Sequence, residues 1–318
     1  MQGTRASVSA YLMNMLIENA AHWRGHLIAE LERSSPDLLD KHPPSGYIDS
    51  LDAYPPLASY WHVSDQIRNR CDSIVQEAGA PALETYHKLV LVTLILRAWE
   101  RLERCQLPAD IPCLYRENFA RIIADIDTGR EGPGFYLYPT FCKELALCTM
   151  RLIPAGPQKI CLRGLPRSWF LRKRPGELLR ATRLLLNLGG FRPVYEMHTD
   201  SRDLPAMRTS TPDGWRQFYR RVAALLDRQP AVRGVAGTGW FFDPQLERIS
   251  PELAYLRQLV AGNGGTVLCL GPCRDHEIKN ATQLSASRRQ LYLEGKYRPF
   301  NYLAVWPRKP LLAWAGVS

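Results

Sequence analysis

Apolar side chains recur every three or four positions from residue 8 to about residue 125, as in "VSAYLMNMLIENAAHWRGHLIAELERS" and "PALETYHKLVLVTLILRAWERLERC". That spacing lines up one face of an α-helix. "YRENFARIIADIDTG" keeps the same period and stops at Gly129, a residue that lets a helix close in the left-handed conformation. Between the first two lies "SSPDLLDKHPPSGYIDSLDAYPPLASYWHVS", rich in proline and aromatics, which reads as a long ordered connection with one short helix. The first half is therefore predicted to be mostly α-helical.

After a further helical stretch, "TFCKELALCTMRLIP", the rhythm changes. "PQKICLRGLP" reads as a strand, and "PGELLRATRLLLNLGG" as a helix with a proline at its start and a glycine stop. Strands "FRPVYEMHTD", "VRGVAGTGWFFDP", "TVLCLG" and "FNYLAVWPR" then alternate with helices "DGWRQFYRRVAALLDRQP", "SPELAYLRQLVAGNGG" and "ATQLSASRRQLYLEGKY", and "PLLAWA" reads as a last strand. Such alternation calls for helices layered on a sheet. The predicted fold class is α+β or α/β, with a mostly helical domain over residues 1–155 followed by a mixed-sheet, three-layer domain over 156–318.

Composition narrows the partners. A hydrophobic fraction of 46% and a charged fraction of 23% fit a packed globular chain rather than a disordered one. Lys and Arg number 41 against 31 Asp and Glu, a net charge of +10 that favours an anionic partner: nucleic acid, a membrane surface, an acidic protein or a phosphorylated cofactor. The 8 cysteines form no CxxC and no paired Cys/His spacing of the zinc kind, so reduced thiols and no metal are expected. The apolar run Leu89–Leu96 is too short to span a bilayer and the N-terminus lacks a signal-peptide pattern, so no membrane span and a cytoplasmic location are expected.

Candidate chemistry lies mainly in the second half. In "SASRRQLYLEGKYRPFNYLAVWPRK", residues 285–309, Ser285, Arg288, Leu291, Tyr292, Gly295 and Tyr297 keep a register similar to Asn-x-x-Ala-x-x-Leu-Tyr-Glu-Lys-x-Gly-Phe. That motif marks the last helix of many Gcn5-related N-acetyltransferases (GNAT), and the chain resembles the second half of that fold over residues 232–315. Its architecture is also similar to that of N-acyl amino acid and acyl-homoserine lactone synthases. The family's phosphate loop, Arg/Gln-x-x-Gly-x-Gly/Ala, is replaced here by "DPQLERISPE".

The resemblance implies an acyltransferase that takes acyl-CoA or acyl-phosphopantetheine as donor, with an acyl carrier protein as a possible partner and an amine-bearing small molecule as acceptor. It implies that strands near 232–242 and 266–270 splay to admit the pantetheine arm. It makes Tyr292 the acid for the leaving thiolate, and it assigns Gly237, Thr238, Gly239, Ser250, Ser285, Arg288 and Arg289 to the donor. Ser250 would cap the helix that begins "PELAYL".

Two further groupings come from spacing alone. The period of two puts Glu196, His198 and Asp200 on one face of a strand, so His198 is the candidate base and Glu196 its neighbouring carboxylate. Arg163, Arg167, Arg172, Lys173, Arg174, Arg180 and Arg183 crowd one stretch with a single acid, Glu177, so Arg167, Arg172, Lys173 and Arg174 form a candidate patch for a carrier protein or coenzyme phosphates. With Trp169 and Phe170 between them, the same residues support an alternative, a non-catalytic module that binds nucleic acid or an acidic protein. A third reading, a metal-dependent oxygenase, rests on Glu84 and His87, and on Glu18, His22 and His26, in the helical half.

Overall fold

The computed structural model describes residues 2–55, 57–105, 107–170, 175–200, 203 and 207–317. The chain divides into two units, Met1–Pro154 and Ala155–Ser318.

The first unit is built on helices α1 (Gln2–Ser34), α2 (Leu38–Lys41), α3 (Pro44–Asp52), α4 (Asp65–Arg104), α5 (Ile111–Thr128) and α6 (Cys142–Cys148), and ends in a short strand, β1 (Leu152–Pro154). The proline-rich connection thus holds two helices rather than one. Helix α4 starts at Ser64, whose hydroxyl accepts from the Ile67 N–H, and is broken at Gly79 (φ 85°, ψ 168°), just before Pro81. Proline lacks the N–H that would continue the ladder, so a second helical segment begins there. That segment carries Leu89, Val90, Leu91, Val92, Leu94 and Ile95, all buried. A helix apolar around most of its circumference must be covered on several sides, and α1, α3, α5 and α6 cover it.

The second unit contains β2 (Lys159–Gly164), α7 (Pro175–Leu188), β3 (Pro193–His198), α8 (Pro212–Arg228), β4 (Gly234–Gly239), α9 (Leu246–Ile249), α10 (Ala254–Ala261), β5 (Thr266–Pro272), α11 (Asp275–Gln283), α12 (Ala286–Leu293), β6 (Phe300–Pro307) and α13 (Arg308–Ala315). Its strands run in the order β2-β3-β4-β6-β5. β2–β3, β4–β6 and β6–β5 are antiparallel and β3–β4 is parallel, so the sheet is mixed. One face holds Val194, Ala236, Leu303, Val305 and Leu268, packed with Ala181, Leu184 and Leu188 of α7. On the other face Trp306 stacks between Tyr219 of α8 (4.9 Å) and Trp314 of α13 (5.0 Å). Helices on both faces make this unit three-layered and the chain α+β.

Helix α8 shows why its sequence folds as it does. Trp215, Phe218, Tyr219, Val222, Leu225 and Leu226 fall on one stripe and are buried, each burial stabilising by about 2 kcal/mol. Thr211 caps the start, accepting from the Gly214 N–H, and Pro212 occupies the first position.

Three predicted elements differ from the structure. "PLLAWA" lies in helix α13: Pro310 sits in the first turn, where its missing N–H costs nothing, and Gly316 closes the helix at φ 70°. "ATQLSASRRQLYLEGKY" forms two helices, because Ser285 turns out at φ −142° and caps α12. The strands near 232–242 and 266–270 are not neighbours, since β6 lies between them and pairs with both along its length.

Candidate functional site

The antiparallel pairing of β2 with β3 places Arg163, Cys161 and Lys159 on the same face as Glu196 and His198, because residues two apart share a face and Cys161 lies directly opposite Glu196. Three polar contacts follow in a row. Arg163 Nε is 3.3 Å from Glu196 Oε2. Cys161 Sγ is 3.1 Å from His198 Nε2. Lys159 Nζ is 2.6 Å from Asp203 Oδ2 and 3.4 Å from Asp200 Oδ2, all three side chains buried. The alternation that singled out Glu196, His198 and Asp200 thus brings the first two together, while Asp200 turns to Lys159. Burial raises the Glu196 carboxyl above the usual range and Arg163 partly opposes it.

β3 ends at His198, where the sheet changes character. The parallel register of β3 with β4 covers only Tyr195–Val235 and Glu196–Ala236. Met197 and His198 run on from one strand and Gly237, Thr238 and Gly239 from the other with no partner in register across the pair. β4 itself stays paired to β6 through Gly239. A Cβ at Gly237 would collide with the Met197 side chain, so glycine there lets the methionine lie against the backbone. The β3–β4 ladder therefore stops beside the His198 imidazole, with Met197 packed on Gly237 just past its last pair.

The residues assigned to the donor fall into separate places. Gly237, Thr238 and Gly239 lie just past the last β3–β4 pair, with Thr238 exposed. Ser250 makes no cap: its hydroxyl accepts from Arg288 Nη1 at 2.9 Å, and Pro251–Leu253 form a 3-10 turn before α10. Arg288 also donates through Nε to the Ala281 carbonyl at 2.8 Å and stacks over the Trp240 ring at 5.1 Å. Being 6% exposed, this arginine is an internal strut rather than an open phosphate clamp. Ser285 caps α12, Arg289 is exposed, and Tyr292 is half-buried in the last turn of α12.

The basic stretch is partly consumed by the fold. Arg163 pairs with Glu196, Arg167 lies over the Phe191 ring at 5.8 Å, and Arg180 holds Glu177 and the Val267 carbonyl. Arg172, Lys173 and Arg174 lie outside the described residues.

In the helical unit, His87 is wholly buried and its Nδ1–H donates to the Tyr136 carbonyl at 2.6 Å. A carbonyl only accepts, so Nε2 is the acceptor, and it meets the Tyr47 hydroxyl at 3.3 Å and Cys71 Sγ at 3.5 Å. Burial pushes the His87 pKa down to about 4. Glu84 accepts from the Gly134 N–H. Both members of the Glu-x-x-His pair are therefore committed to polypeptide partners, and Glu18, His22 and His26 are exposed along α1.

Comparison with known proteins adds a weak likeness in outline. The solved structures it resembles are acyltransferases. One, in complex with decanoyl-CoA and teicoplanin, is 12% identical with a TM-score of 0.45 and covers 86% of this chain and 88% of its own. Another, in complex with decanoyl-CoA, is 15% identical with a TM-score of 0.44 and covers 83% of each chain. No family model and no curated protein matches the sequence.

Sequence reasoning missed Cys161, Lys159 and Asp203. The signal was present in "KICLRG", where Lys159, Cys161 and Arg163 alternate with apolar residues just as Glu196 and His198 do in "PVYEMH". Only the pairing of the two strands makes it a cluster. Among the described residues no helix is long and apolar enough to cross a membrane.

Proposed function

We propose that this chain is an acyltransferase that moves an acyl group from a thioester of coenzyme A, or of a carrier protein's phosphopantetheine, to an amine. The observation that carries the reading is the end of the β3–β4 ladder after two register pairs, beside Glu196 and His198, which is where the proposal puts the thioester arm. Splayed strands that admit pantetheine are what the resemblance to N-acetyltransferases implies, and since β6 separates the pair the sequence pointed to, β3 and β4 take that part in the proposal.

The chemistry assigned to this site is direct attack. The amine nitrogen adds to the thioester carbonyl, the carbon–sulfur bond breaks, and the acyl group leaves on nitrogen. His198 takes the proton that the nitrogen sheds, with Glu196 beside it to stabilise the imidazolium. The strand-edge N–H groups of Gly237–Gly239 meet the oxyanion of the tetrahedral intermediate. Tyr292 returns a proton to the departing thiolate. Holding both reactants in line supplies most of the rate, and no redox step is involved.

The test is a panel of acyl-CoA thioesters, from acetyl to dodecanoyl, and the same acyl groups on a carrier protein, offered with amino acids, amino sugars and polyamines. Release of free thiol and formation of an amide are followed together. The reading predicts amine-dependent thiol release with at least one donor, and a raised melting temperature with that donor alone. If no thioester stabilises the protein or is turned over, while nucleic acid binds with steep salt dependence, the binding-module alternative takes its place.

A further inference from the structure

We propose that Cys161, Glu196 and His198 form a binding site for a thiophilic divalent cation of the zinc type, through one thiolate, one imidazole nitrogen and one carboxylate. Their ligand atoms all lie within 4.8 Å of one another. Cys161 Sγ and His198 Nε2, 3.1 Å apart, are close to the roughly 3.5 Å that a tetrahedral zinc ion with its usual bond lengths sets between sulfur and nitrogen.

The site is built on rigid elements. Cys161 stands opposite Glu196 in an antiparallel register that runs from Lys159–His198 to Gly164–Pro193, so backbone hydrogen bonds on both sides fix the spacing of the ligands. Glu196 Oε2 is buried and makes no hydrogen bond, although Arg163 Nε lies 3.3 Å away as an ion pair. A buried carboxylate oxygen without a hydrogen bond calls for a partner, and a cation between it and the sulfur provides one. Arg163 then serves as the outer group that orients the carboxylate.

In the binding step the S–H proton passes to solvent, bonds form from sulfur, Nε2 and carboxylate oxygen to the metal, and no electron is transferred. Three protein ligands leave a fourth position for water.

This site does not depend on acyl transfer, since filling it requires no donor or acceptor. It does bear on that reading, because a metal-bound Nε2 has no lone pair for the substrate's proton. Occupancy by the metal and service as a base exclude each other.

The probe is cobalt(II) chloride titrated into the purified full-length chain and followed in the near-ultraviolet and visible. The proposal predicts one equivalent bound, with a thiolate-to-cobalt charge-transfer band, tetrahedral d–d bands, and displacement of both by zinc. In Cys161→Ser the charge-transfer band vanishes. In His198→Gln and in Glu196→Gln cobalt affinity falls at least about tenfold. Cys105→Ser, which removes an exposed thiol elsewhere, leaves the spectrum unchanged. Absence of any band at tenfold excess cobalt overturns the site, as does a band that persists in folded Cys161→Ser. If Cys161→Ser fails to fold by circular dichroism, unchanged affinity in both His198→Gln and Glu196→Gln overturns it instead.

Discussion

Two histidines, one in each unit, both face a cysteine sulfur, and the rest of their surroundings decides what each is for. His87 is enclosed by Tyr47, Tyr86, Tyr138 and Phe141, with a backbone carbonyl on Nδ1. Burial keeps it neutral down to about pH 4, so it holds α4 to the segment around Tyr136 and takes no part in proton traffic near neutrality. His198 is half-buried at the end of a strand, beside Glu196 and Arg163, where the β3–β4 ladder has stopped. Burial without charge makes an imidazole a fastener. Partial exposure among charges suits the other to the base's role proposed for it.

That contrast can be broken or sharpened by experiment. The largest effect expected is on His198→Gln, which should cut amine-dependent thiol release by about a thousandfold at neutral pH while leaving the melting temperature within a few degrees of the parent. A stability loss without a rate loss in the folded fraction would reverse the roles of the two histidines.

Next comes the pH dependence of folding. The unfolded His87 titrates near 6.5 and the folded one near 4, so between these values the unfolded chain binds a proton that the folded chain does not. Stability should therefore fall as pH drops from about 6.5 to about 4, by about 3 kcal/mol in all from this group. Urea unfolding at a series of pH values checks it, and His87→Phe, if it folds, should flatten that part of the profile.

Arg288→Ala should destabilise by about 2 kcal/mol, because it strips the buried Ser250 hydroxyl and Ala281 carbonyl of their donor. The KM for the thioester should not change, whereas a phosphate-binding arginine would raise it. The smallest effect is expected from Tyr292→Phe: about a tenfold loss in kcat, at unchanged KM, with a thioester, and a much smaller loss with an activated ester whose leaving group needs no proton.

The sequence made much of this legible where the cause was local. Helical periods in the first half and the glycine stop at Gly129 depend on neighbours a turn away, and the structure has helices there. "PLLAWA" shows the limit of local patterning: six residues, all apolar, carry neither period clearly, and what decided it was Pro310 in a first turn and Gly316 beyond a last one. The site was harder to read because it depends on pairing. Glu196 and His198 share a strand and were visible together, but Cys161 joins them only through a register set more than thirty positions away. Likewise Arg288 looked like a free cation until Trp240 and Ser250 closed around it. A splay was expected between the strands near 232–242 and 266–270, and the insertion of β6 between β4 and β5 rules it out there; the ladder that stops short is that of β3 with β4.

That change of strand pair gives the most direct test of the account. An acyl-CoA carrying a photoreactive diazirine in its pantetheine arm, irradiated with the protein and mapped by peptide mass spectrometry, should label residues around Met197–Thr199 and Gly237–Gly239, and unlabelled acyl-CoA should compete. Competable labelling confined to other elements, with both of these segments clean, would contradict the placement of the thioester between β3 and β4.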